Sequence, residues 1–131
     1  MEAKRTLNPL EPGVVSLLGA TGYSPGGVAS RPILQTPAVR VVWMGLDAGQ
    51  ELTEHTTPRR ALVEILEGNC EFLLGTEWKS VGPGDLIHLT PGLLHAVKAK
   101  TRTSFLLILV PETTPVGVPA VGKMKLVSEE A

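Results

Sequence analysis

Three histidines, a single cysteine and a pair of adjacent arginines are the side chains of this 131-residue chain best suited to chemistry. His55 lies in Glu54-His55-Thr56-Thr57-Pro58, His88 between Ile87 and Leu89, and His95 after Leu93-Leu94. A neutral imidazole ligates Zn, Fe, Ni, Cu or Mn near pH 7, or relays a proton. A tightly held metal takes three or four protein ligands. Cys70 cannot close an internal disulfide, and a lone thiol fits a reducing cytoplasm. It is read as a small, half-buried strand residue and not as a nucleophile. Arg59 and Arg60 follow Pro58 and are read as a solvated loop, with a clamp on a carboxylate or phosphate as the alternative.

The elements that must position these groups read as strands. Glycine (14) and proline (11) punctuate short runs of Val, Ile, Leu and Thr, and no stretch sustains a helical period. Strands are expected at 39–47, 61–67, 70–74, 77–81, 86–89, 95–100 and 104–110, with a further candidate at 14–18. Gly68-Asn69 is expected to close a hairpin, and Gly82-Pro83-Gly84-Asp85 a tight turn. Residues 19–30 read as a loop in which Tyr23 is a candidate cap for a pocket. This pattern implies an all-β, single-domain antiparallel barrel with its core at about 39–110, an N-terminal arm at 1–38 and an extended tail at 111–131.

Alternation sets facing. Ala61, Val63 and Ile65 share one face, Ile87 and Leu89 point inward, and His88 points outward. If Met44 and Leu46 face in, so does Arg40. Several strands are apolar on both faces, so their outer face needs cover, and a homodimer would supply it. Trp43 and Trp78 are read as core or interface.

Two segments carry a more specific signal. The first is Gly49-Gln50-Glu51-Leu52-Thr53-Glu54-His55-Thr56-Thr57-Pro58-Arg59-Arg60-Ala61, running on to Gly68; the second is Gly84-Asp85-Leu86-Ile87-His88-Leu89-Thr90-Pro91-Gly92-Leu93-Leu94-His95. Together they resemble the two motifs of the cupin superfamily, G-x5-H-x-H-x3/4-E-x6-G and G-x5-P-x-G-x2-H-x3-N. Gly49, His55, Gly68, Gly84, Gly92 and His95 fall in place. Thr57 stands at the second histidine, Ala61 at the glutamate, Thr90 at the proline and Ala99 at the asparagine. The wording is similar to small stand-alone bacterial cupins with H-T-x-P in place of H-x-H.

The resemblance implies a double-stranded β-helix of the jelly-roll kind. It also implies one pocket, marked by His55 and His95 as candidate metal ligands and bordered by Thr57, Ala61, Val63, Ile87, Leu89 and Met44. Three readings stay open. A divalent transition metal (Zn, Fe, Ni or Mn) on the two histidines would serve an oxygenase, isomerase or lyase reaction on a small molecule. The same pocket without metal would bind a small ligand, with the histidines as hydrogen-bond donors. A histidine with Glu54 or Tyr23 would make a metal-free acid–base enzyme. Net charge is −1 and the charges are scattered, which leaves no footprint for nucleic acid. No apolar run is long enough for a signal peptide or a membrane span, so the expected setting is cytoplasmic.

Overall fold

A computed structural model describes residues 6–19 and 22–111. Among these residues every regular element is a strand: β1 (Val28–Gln35), β2 (Arg40–Leu46), β3 (Glu51–His55), β4 (Arg60–Glu67), β5 (Cys70–Leu74), β6 (Glu77–Val81), β7 (Leu86–Leu89), β8 (His95–Ala99) and β9 (Thr103–Val110). They form a five-stranded antiparallel sheet in the order β1-β2-β9-β4-β7 and a four-stranded one in the order β3-β8-β5-β6.

The core lies between the sheets. Met44, Phe105 and Ile65 stand in one row of the larger sheet, and Val42, Leu107, Val63 and Ile87 in the next. Leu52, Val97 and Phe72 form a facing row of the smaller sheet. Phe72 and Phe105 meet across the gap edge to face, with centroids 6.0 Å apart. Both are buried, and each such side chain contributes about 1.5–3 kcal/mol.

Several sequence expectations change. Residues 14–18 form no strand. β1 lies inside the stretch expected to be an arm. It carries Pro32, which is tolerated because β1 is an edge strand with an irregularity between Pro32 and Leu34, where a missing N–H costs little. Gly68-Asn69 closes no hairpin. β4 pairs with β9 and β7, whereas β5 pairs with β6 and β8, so the chain changes sheet there. The expected tail falls outside the described residues apart from Pro111.

The outer face of the larger sheet is covered in part by the chain itself. Trp43 is buried there, with Tyr23 edge-on at 5.2 Å and the Arg31 guanidinium 5.0 Å from its ring centre. The Tyr23 hydroxyl donates to Glu67 Oε1 at 3.0 Å, and the Gly19 amide to Glu67 Oε2 at 3.1 Å. Tyr23 is therefore a clamp on the outside of the sheet and not a cap on the pocket. No helix among the described residues is long and apolar enough to cross a membrane.

Candidate ligand cavity

His55 and His95 are register partners on β3 and β8. Their rings lie 4.1 Å apart between centroids at 63°. This depends on a bulge. Leu52 pairs with Val97 and His55 with His95, so three steps on β3 match two on β8. Simple alternation would point Leu52 inward and His55 outward. The extra residue reverses the parity, and both side chains reach the cavity.

Each imidazole is fixed by its own backbone. His55 Nδ1 lies 2.8 Å from the Thr53 carbonyl oxygen, and His95 Nδ1 lies 2.9 Å from that of Leu93. A carbonyl only accepts, so both Nδ1 atoms carry the hydrogen. In the neutral rings Nε2 then holds a lone pair. The site thus offers two oriented acceptors, the reverse of the donor role expected from sequence. Burial pushes the His95 pKa below its ordinary 6.5; the bond to the Leu93 carbonyl opposes this in part, and the nearby His55 adds a smaller push downward.

That direction predicts a pH dependence. With its folded value below its unfolded one, His95 favours the native state above pH 6.5 and penalises it as pH falls through and below that value. Urea midpoints should fall from pH 7.5 to pH 5, and His95→Gln should flatten the fall. An equal fall in the variant would remove His95 as the cause.

Around the histidines the wall is apolar. Met44, Leu52, Val63, Leu89, Val97 and Leu107, with the Phe72–Phe105 pair, line a cavity of about 160 Å³. Of the six wall residues expected from sequence, Met44, Val63 and Leu89 are on it. Ala61 is fully buried in the core between Leu89 and Leu109, off the wall. Ile87 faces a different hollow with Leu74 and Val81. Thr57 is engaged in its loop: its hydroxyl accepts from the Arg59 amide at 3.3 Å and its carbonyl from the Gly92 amide at 2.8 Å. Leu52, Phe72, Val97, Phe105 and Leu107 were not expected. Phe105 and Leu107 follow from alternation along β9 once its inner face is known.

The remaining candidate ligands lie elsewhere. His88 is on the outer face opposite Leu62, and its Nε2 accepts from Arg60 Nη1 at 2.7 Å. Glu54 lines a surface hollow with Trp78 and Lys98. Cys70 is buried in the core, and burial pushes its thiol pKa up to about 11, so no thiolate forms near neutral pH. No group of three or more His, Cys, Asp or Glu side chains suited to a metal occurs among the described residues. Two neutral nitrogens in an apolar wall would leave a divalent ion without an anionic ligand. That donor set does not fit a tightly held metal.

The cupin-domain family model matches residues 42–111, which hold both histidines and every wall residue of the cavity. This chain is a cupin. No curated protein matches it. Among solved structures, the cupin is similar to a conserved protein of unknown function from Streptococcus pyogenes. The identity is 27%, 86% of this chain and 100% of that one are covered, and the TM-score is 0.67. An RmlC-like cupin from Desulfovibrio desulfuricans is 22% identical over 77% of this chain and 98% of that one, with a TM-score of 0.71. A cupin 2 conserved barrel domain protein from Leptotrichia buccalis is 30% identical over 67% of this chain and 43% of that one, with a TM-score of 0.63. These matches support the all-β cupin fold and carry no reaction.

Proposed function

We propose that this cupin is a small-molecule-binding protein whose cavity takes a compact apolar ligand bearing one or two hydrogen-bond donors. The observation that carries this reading is the pair of Nδ1–H···O=C bonds, which fixes two Nε2 acceptors at the edge of an otherwise apolar cavity. At about 160 Å³ the cavity suits a single ring, since a void near 150 Å³ admits benzene. Oriented acceptors then select hydroxyl-bearing ligands, because a neutral hydrogen bond in such a site is worth roughly 1 kcal/mol or more.

A metal-dependent reaction remains the second reading, favoured by the same convergence of two nitrogens. Neither the Glu54 nor the Tyr23 side chain adjoins the cavity, which weakens a metal-free acid–base role.

Catechol, phenol and toluene separate the readings in one calorimetric series. Catechol is expected to bind best, and His55→Leu or His95→Leu to weaken it about tenfold each, which is about 1.4 kcal/mol. Toluene, with nothing to donate, should bind both variants as it binds the wild type. Equal loss of all three ligands would mean that the variants disturb the cavity itself. Stoichiometric micromolar Zn²⁺ or Ni²⁺ binding, lost in both variants, would replace this proposal with the metal reading.

A further inference from the structure

A second hollow, of about 430 Å³, opens beside the β1–β2 turn and is walled by Gln35, Thr36, Pro37, Arg40, Arg59 and Pro111. None of its lining residues is acidic. Neither arginine has an ion-pair partner among the described residues, although Lys79, Lys100 and Arg102 each have a carboxylate nearby. Two guanidinium groups therefore share a concave surface that carries no carboxylate among the described lining residues.

The backbone around both is held. Thr36 closes the β1–β2 turn: its hydroxyl oxygen accepts from the Ala38 and Val39 amides at 3.1 and 3.0 Å, and its own amide donates to the Val39 carbonyl at 2.9 Å. Arg40 follows at once, paired with Gln35 on one side and Leu109 on the other. Arg59 is positioned through Thr57, which binds the Arg59 amide with its hydroxyl and the Gly92 amide with its carbonyl. The loop that presents Arg59 is thus tied to the loop leading into His95.

The register also orders the two sites. Arg40 stands opposite Leu109, Leu109 opposite Ala61, and Ala61 opposite Leu89, which lies on the wall of the histidine cavity. Arg40 is four residues before Met44, on the same face of β2, which is roughly 13 Å along a strand. The groove is a neighbour of the cavity at the histidine end of the barrel.

We infer that Arg40 and Arg59 form an anion-binding site that takes a carboxylate or phosphate group in the groove. A guanidinium presents a planar fork of donors matching both groups, and two forks on one hollow can address different oxygens of one anion. The Gln35 amide and the Thr36 side chain on the same wall add neutral polar surface. The site stands whether or not the cavity holds an apolar ligand, because it shares no lining residue with it.

The test is a titration of ¹⁵N-labelled full-length protein with inorganic phosphate and, separately, acetate, at matched low ionic strength. Saturable amide shifts at Gln35, Thr36, Arg40 and Arg59 are expected. Arg40→Gln and Arg59→Gln should each weaken binding about tenfold, and the lysine variants should recover part of it. Raising ionic strength from about 0.01 to 0.15 M should weaken it several-fold, as screening shortens from roughly 30 to 8 Å. Phosphate and acetate acting on the same amides would define a general anion site; response to one alone would name the group. Non-saturating shifts spread over surface lysines, or binding unchanged in the glutamine variants, would overturn the inference. The toluene and catechol responses are expected to persist in both arginine variants, so the two proposals fail separately.

Discussion

Gly68→Ala should destabilise the protein by roughly 3–5 kcal/mol, a large part of the 5–15 kcal/mol that holds a typical domain together. Two effects add at this position. Gly68 has φ of +83°, where a side chain costs about 1–2 kcal/mol. A Cβ there would also overlap the Arg102 carbonyl and the Thr103 backbone, which belong to the approach to β9 and cannot rotate away as a side chain would. The corner where the chain leaves the larger sheet for the smaller one is thus pressed against another corner. Gly84 supplies the control: its φ is +92°, but nothing lies within 4 Å of its would-be Cβ. Gly84→Ala should cost only the backbone strain, about 1–2 kcal/mol. Urea denaturation of both variants checks this. Equal costs would show that the contact at Arg102 yields freely.

Val63→Phe should abolish ligand binding while leaving the protein folded. Val63 is fully buried in the centre of β4, between Leu107 and Ile87, and forms part of the cavity wall. A phenyl ring added there has about 160 Å³ to enter, so the substitution fills a void that already exists. Overpacking a filled core costs typically 1–3 kcal/mol; here the stability change should stay near the low end of that range. Affinity for catechol and toluene should both fall at least about 100-fold, which is about 2.8 kcal/mol. This pattern differs from that of the histidine variants, which spare toluene. Calorimetric titration with the two ligands separates occlusion of the space from loss of the acceptors. Retained toluene binding in Val63→Phe would place the ligand elsewhere.

Much of the barrel was legible because its signals are local. β5, β6 and β7 lie between turns that carry glycine or proline, and alternation alone places Met44, Val63 and Leu89 on the inner face. The departures share one cause, namely pairing between distant segments. Gly68-Asn69 carries the same turn chemistry whether the chain folds back on itself or steps to another sheet, and only the partners of β4 and β5 distinguish the two. The bulge that turns His55 inward has no glycine or proline to announce it; it exists because β3 must match β8. Thr57 and Ala61 were placed by motif position. The structure uses the first to tie two loops and buries the second between Leu89 and Leu109 of the larger sheet. The acceptor role of both imidazoles rests on carbonyls two residues upstream, Thr53 within β3 and Leu93 in the loop before β8, and their directions are set by the fold and not by residue type.

The sheet order has a kinetic consequence. Among the described residues, successive strands pair directly only in β1–β2 and β5–β6; the other pairings join segments far apart in sequence. Loops must therefore close at an entropic cost before most of the ladders form, which makes such topologies slow to fold. The two imidazoles sit on β3 and β8, forty residues apart in the chain, and meet only once that long-range pair is in place. A collapsed chain holding just the two hairpins would have no receptor. The histidine cavity is therefore complete only once the long-range β3–β8 ladder is in place, and any ligand it takes would draw its affinity from the finished barrel.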